Sequence, residues 1–346
     1  MSRMLEEIRQ QPETLARTLS SELRRIGKFK AIMDRKKPRL VVLAARGTSD
    51  NAAQFGRYLI EITTGIPVSL AAPSVQTLYD AKMNYRDALV VAISQSGEST
   101  DTNVVLEQAR KAGAVTVGIT NESGSSLAKI AEHVFHVRAG REKSVAATKT
   151  YSGQLMMFYL LAWALGAKLR IADLEKIPEF AQNALSLESE VAALAERYRF
   201  MNHAVVVGRG LNYANAFEFA LKMMETSYVI AERFSAADFL HGPIAMVGRD
   251  FPAFLFTPSG PTWKSMAEML LRLRGLKAET IAITDRRNPG VAPLATRVIA
   301  IPARIPELFT PIPYIIPAQL FAAALAAEKG LDPDRPRTLA KITRTL

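Results

Sequence analysis

The chain of 346 residues contains no cysteine. That absence removes disulfides, zinc–thiolate sites, iron–sulfur clusters and a cysteine nucleophile from consideration, and it fits a reducing cytoplasm. Histidine is scarce as well, at four residues. His133 and His136 stand three apart in "EHVFHV" on a predicted strand. Their side chains then point to opposite faces, so no metal pair is expected there and no metal or cofactor is expected elsewhere. A signal peptide is not expected, because Glu6, Glu7 and Arg9 stand where its apolar core would be. Long hydrophobic runs are missing too. The uncharged stretch "FTPIPYIIPAQLFAAALAA" (309–327) carries Pro311, Pro313 and Pro317. It predicts a loop followed by a buried helix rather than a membrane span.

What is present describes a folded, soluble, cytoplasmic protein of two domains: 49% hydrophobic and 22% charged residues. The formal charge of +11 is uneven, with eleven Lys/Arg against five Asp/Glu in residues 1–39. A basic arm can bind nucleic acid, but this one has no interleaved aromatics beyond Phe29 and no known nucleic-acid motif. It reads as a solvated helix face that helps attract anionic metabolites. No nucleic-acid or membrane partner is expected.

From residue 38 onward, β-branched runs alternate with helical segments. Strands are predicted at 39–45, 67–72, 88–94, 114–120 and 133–139, then at 203–208, 252–258, 278–284 and 296–302. Continuous apolar strands separated by helices predict doubly wound parallel sheets, an α/β fold. The plan is used twice: "VVLAARGTSDNAAQF" and "VVVGRGLNYANAFEF" each end a strand in Arg-Gly. Gly47 precedes Gly97 by 50 residues, as Gly210 precedes Gly260. The expected organisation is an N-terminal helical arm (1–37), a first domain (38–170), a connecting helix (171–199), a second domain (200–330) and a C-terminal tail (331–346).

The first copy concentrates hydroxyls at two strand-to-helix corners: Thr48 and Ser49 at one, and Ser94, Gln95, Ser96, Ser99, Thr100 and Thr102 at the other. The second copy has "TPSGPT" where the first has "SQSGES". Helix N-termini at the carboxyl ends of parallel strands suit anions, and Ser/Thr add uncharged donors. Capping needs one such side chain per helix. The surplus points to a phosphate, bound once per chain. Neither corner carries the glycine patterns of nucleotide or dinucleotide sites, and Gly-x-Ser-x-Gly is absent, so a small phosphate ester is expected and a serine hydrolase is not.

Two further residues draw notice. Glu225 lies in "FEFALKMMETSYVIAE", an apolar helical stretch, three residues after Lys222 and on the same face. Alone this reads as an ion pair. His241 precedes Gly-Pro in a loop, where an imidazole can be presented at a cleft.

With "ARGTSDNAAQFGRYLIE" followed by "AISQSGESTDT", the chain resembles the sugar isomerase (SIS) family of phosphosugar-binding domains. The segments "ALKMMETSYVIAERFSAADFLHGPIAMV" (220–247) and "DPDRPRTLAKITRTL" (332–346) look like the isomerase half of glucosamine-6-phosphate synthase and its stand-alone relatives. The resemblance implies two tandem flavodoxin-like SIS domains. It makes Thr48, Ser49, Ser94, Gln95, Ser96 and Ser99 the phosphosugar anchor and assigns acid–base work to Glu225 with Lys222. It also implies that His241 opens the sugar ring from the neighbouring subunit of a homodimer. Lys341, next to the substrate-contacting Ala340, would form a Schiff base with the open-chain ketose under an ordered tail. Val145 matches a backbone segment lining the sugar, while Ala147 stands where the synthase has a serine.

A glutaminase domain is not expected, since the chain has neither room nor cysteine for one. The implied reaction is deamination of glucosamine 6-phosphate to fructose 6-phosphate and ammonia, without cofactor. The alternatives are a deglycase or isomerase of another phosphosugar amine, such as fructosamine 6-phosphate or galactosamine 6-phosphate, and a non-catalytic phosphosugar sensor.

Overall fold

The computed structural model describes residues 2–339 and 341. Helices α1 (Arg3–Arg9) and α2 (Gln11–Lys36) come first. The first run is β1 (Leu40–Ala44), α3 (Thr48–Thr64), β2 (Val68–Leu70), α4 (Ser74–Thr77), β3 (Ala88–Ile93), α5 (Thr100–Lys111), β4 (Val115–Thr120), α6 (Ser126–Ile130), β5 (His133–His136) and α7 (Lys149–Ala164). Then come α8 (Ile171–Leu174), α9 (Ile177–Leu185) and α10 (Glu188–Glu196). The second run is β6 (His203–Gly208), α11 (Tyr213–Ser227), β7 (Ile230–Ser235), α12 (Ala236–Leu240), β8 (Pro252–Phe256), α13 (Trp263–Gly275), β9 (Glu279–Asp285), β10 (Arg297–Ile301) and α14 (Pro311–Glu328).

Each run forms a five-stranded parallel sheet. The orders are β2-β1-β3-β4-β5 and β10-β9-β8-β6-β7. Read from its other end, the second order repeats the first strand for strand, which is the flavodoxin-like doubly wound arrangement. Every residue of β3 and of β8 is buried, as central strands covered on both faces require. In the first copy Val90 and Ala92 belong to one apolar cluster with Val105 and Leu106 of α5. In the second, Ala253 and Leu255 cluster with Met266 and Leu270 of α13.

The chain forms two compact units whose composition crosses the sequence order. One comprises Glu13–Glu142, Lys149–Lys176 and the tail from Leu339; the other comprises the residues through Pro12, Lys143–Thr148 and Ile177–Thr338. The N-terminal helical residues are divided between the two units after Pro12. Leu15, Leu19, Ile26, Phe29 and Met33 form a buried stripe along α2, and the Phe29 ring meets His133 and Phe135 on β5. The basic residues Arg24, Arg25 and Lys28 occupy the exposed face.

Three local expectations change. Residues 171–199 are three short helices rather than one, with Pro178 in the first turn of α9 marking a restart. The helical stretch around Glu225 ends at Ser227, where Tyr228 adopts a left-handed conformation (φ 55°), and "IAERFS" becomes the edge strand β7. The proline-rich stretch is helical from Pro311 onward. Pro311 and Pro313 fall in the first turn, where N–H groups have no intrahelical partner, and Pro317 is accommodated inside the helix. This helix is long and apolar enough to cross a membrane, but 83% of its 18-residue window is buried within the protein.

Candidate active site

The hydroxyl corners lie at the carboxyl ends of β1 and β3, adjacent parallel strands at the point where the sheet order reverses. That switch point is where open α/β sheets take their ligands. Helix α3 has Gly47, not a serine, as its N-cap, so Thr48 and Ser49 lie inside the helix and do not cap it. Ser99 is the N-cap of α5, yet its side chain makes no capping hydrogen bond. Capping therefore does not account for the cluster.

Several of these hydroxyls accept a hydrogen bond from the protein, which leaves the O–H to donate. Ser94 Oγ accepts from Gly97 N (3.1 Å), Ser96 Oγ from Glu98 N (3.3 Å), and Ser49 Oγ from Gln154 Nε2 (2.9 Å). The loop is fixed by Gly97, whose φ is +67°; a Cβ there would lie 2.2 Å from Ser125 Oγ. Arg46, two residues past the end of β1, joins the two corners through Asp101 Oδ2 in the first turn of α5, at 3.1 and 2.7 Å. Its side chain keeps 46% of its surface exposed.

Beside the second corner is a cavity of about 370 Å³, whose walls include Gln95, Ser96, Glu98, Arg141, Glu142 and Lys341. Glu98 is turned to Ser126, whose N and Oγ it binds at 2.9 and 2.8 Å. The Glu142 carboxylate is buried and accepts from Thr150 N (3.1 Å), Thr150 Oγ1 (2.7 Å) and Lys341 Nζ (2.9 Å). The tail lysine is thus held at the cavity that the hydroxyl loop lines. Ala340 lies outside the described residues.

The equivalent corner of the second copy is occupied by a side chain of the protein. Thr262 occupies the N-cap position of α13 as Ser99 does that of α5, but Thr262 Oγ1 and N already donate to Glu307, at 2.6 and 3.3 Å. A Cβ on Gly260 would stand 2.4 Å from Glu307 Oε2. The chain's own carboxylate fills the place, and burial pushes its pKa up.

The acid–base candidates belong to the other compact unit. On α11, Lys222 is completely buried between Glu218, also completely buried at 3.4 Å, and Glu225 at 2.5 Å. Glu225 keeps 21% of its side-chain surface exposed, so its carboxylate is anchored on one side and accessible on the other. His241 ends α12 and is exposed; Gly242 follows with φ +135°, which turns the chain into Pro243 at the start of a 3-10 turn. Val145 sits half-buried in the irregular segment 143–148. Among the described residues no cluster of His, Asp or Glu could hold a metal ion.

Sequence reasoning had not singled out Arg46, Glu142 or Glu218. For Glu218 a signal existed, since it precedes Lys222 by four residues on the same helix face. Glu142 had none, because its partners come from residues 150 and 341.

Comparison with known proteins gives this geometry a family. A family model described as the SIS domain matches residues 35–164 and again 199–329. Glutamine–fructose-6-phosphate aminotransferase (isomerizing) of Methanothermobacter thermautotrophicus is 34% identical over 338 residues, 98% of this chain and 56% of that protein. The chain therefore spans little more than half the length of such relatives. The C-terminal domain of glucosamine-fructose-6-phosphate aminotransferase from Francisella tularensis superposes with a TM-score of 0.89 at 28% identity, covering 97% of this chain and 98% of that one. A glucosamine-6-phosphate deaminase from Thermotoga maritima shares the fold, with a TM-score of 0.77 at 22% identity over 99% of this chain and 100% of that one. The chain belongs to the SIS-domain family and carries the domain twice.

Proposed function

We propose that the chain is a phosphosugar isomerase of the SIS type, acting in the cytoplasm on glucosamine 6-phosphate to give fructose 6-phosphate and ammonia. The observation that carries this reading is a cavity walled by both Ser96 of the hydroxyl loop and Lys341. An anion-binding corner next to a lysine suits a substrate with a phosphate at one end and a carbonyl at the other.

In this account Thr48, Ser49, Ser94, Gln95, Ser96 and Ser99 hold the phosphate, assisted by the N-termini of α3 and α5. The backbone at Val145 and Ala340 lines the sugar. His241, exposed in the single chain, opens the ring as part of a homodimer, serving the site of a second copy. Glu225 takes the proton from C2 of the open aldose and returns it to C1, with Lys222 holding the carboxylate in place. Starting from the ammonium form of the substrate, one N–H proton passes to O1, so that C1 becomes the CH2OH group and C2 an iminium. Attack by Lys341 at C2 expels ammonia and gives a Schiff base that water hydrolyses to the ketose carbonyl; direct attack by water gives the same products.

Incubating the protein with glucosamine 6-phosphate should release ammonia and fructose 6-phosphate in equal amounts. Turnover confined to fructosamine 6-phosphate or galactosamine 6-phosphate would reassign the substrate. Binding of phosphosugars with no turnover of any would make the chain a sensor.

A further inference from the structure

A buried glutamate outside the acid–base set reaches the segment that carries Val145. Glu7, on the short helix α1, is 5% exposed. Its Oε1 accepts from Lys143 N at 2.5 Å and its Oε2 from Ser144 N at 3.1 Å. Residues 143–148 form no helix or strand, so their peptide groups lack the partners that regular structure supplies. The Glu7 carboxylate supplies two in succession. It fixes the orientation of the peptides entering Lys143 and Ser144, and hence the course of the backbone into Val145. Chain neighbours on either side, Glu142 and Lys149, belong to the other compact unit.

Helix α1 is itself held by the C-terminal segment. Arg3 N and Met4 N donate to Asp334, at 2.6 Å to Oδ2 and 3.0 Å to Oδ1. A carboxylate at a helix N-terminus satisfies free N–H groups and opposes the helix dipole favourably. At the other end Arg9 pairs with Glu188, at 2.8 and 2.5 Å. Further along the tail, Arg337 N donates to Tyr228 Oη at 2.9 Å and its guanidinium lies over the Tyr228 ring at 4.5 Å. Asp334 and the backbone leading into Val145 are thus both tied to α1.

We infer that Glu7 is a positioning residue for the sugar-lining backbone at Val145, and that Asp334 acts through α1 on the same backbone. The inference rests on the proposed phosphosugar function. Removing the carboxylate frees two peptide N–H groups and lets the Val145 backbone drift, which weakens its hydrogen bonds to the sugar by roughly 2–10-fold in affinity each, or about 0.5–1.5 kcal/mol.

The test measures Glu7→Ala, Glu7→Gln, Asp334→Ala and the Glu7→Ala/Asp334→Ala pair for fructose 6-phosphate affinity, KM and kcat. It also follows amide hydrogen exchange at Lys143 and Ser144, and thermal midpoint. Glu7→Ala should speed exchange at both amides and raise KM and Kd by roughly 10–100-fold, the effect of losing one or two hydrogen bonds to the sugar. Its kcat per folded molecule should change much less. Glu7→Gln keeps one acceptor oxygen and should fall between it and wild type. The pair should lose less than the product of the single losses, as residues in one network do. Unchanged affinity in Glu7→Ala overturns the inference, as does a loss of activity that only follows the loss of folded protein. A wild type that binds no phosphosugar overturns the functional reading instead, and the two failures are told apart by the wild-type titration.

Discussion

Glu225→Gln should lower turnover of glucosamine 6-phosphate by roughly 10²–10⁴-fold, the usual share of a general acid–base group. Affinity for fructose 6-phosphate should stay within a few-fold of wild type. The amide is the same size as the carboxylate but cannot take a proton, so the C2 proton has nowhere to go. Lys222 keeps Glu218 at 3.4 Å in the variant, and the fold should survive. The phosphate anchor belongs to other residues and should not notice the change. A variant with wild-type turnover would show that another group moves the proton.

Lys222→Met should cost about 3–5 kcal/mol of stability, the range for breaking a buried ion pair by removing one partner. The ammonium faces two carboxylates, and the Glu218 side chain is completely buried. Methionine fills much of the volume but returns none of the charge. A loss of this size lowers the thermal midpoint by roughly 6–20 °C. Changing Glu218→Gln together with Lys222→Met should recover part of the loss, because the buried charge then goes as well. A midpoint unchanged in the single variant would mean that Lys222 carries no structural load.

The fold was legible wherever a strand is buried on both faces. Runs such as "ALVVAI" and "PAFLF" are apolar throughout because β3 and β8 lie at the centres of their sheets. Strand β7 was hidden for the opposite reason. It is an edge strand with Glu232 and Arg233 exposed, and its apolar residues merged with those of the helix before it. The prolines of α14 misled because proline breaks a helix interior but not a first turn.

In the candidate site, the hydroxyl corners showed in the sequence because each is contiguous, and the repeat exposed what the second copy lacks. Glu7 and Glu142 were not legible. Glu7 meets residues 136 and 137 positions away, and Glu142 meets Lys341 from 199 positions away. No local pattern marks a side chain whose partners arrive only through the fold. The filling of the second corner by Glu307 is of the same kind, since its partner Thr262 lies 45 residues back.

The central claim is that the corner between β1 and β3 holds the phosphate of a sugar. Calorimetric titration of wild type and of a Ser96→Ala/Ser99→Ala variant, each with fructose 6-phosphate and with fructose, tests it most directly. Hydrogen bonds to a charged group contribute about 1.5–3 kcal/mol each, so losing two should weaken fructose 6-phosphate by roughly 100-fold or more. Wild type should bind fructose 6-phosphate far more tightly than fructose. Equal affinity of the two proteins for fructose 6-phosphate, or equal affinity of wild type for the two sugars, would contradict the account.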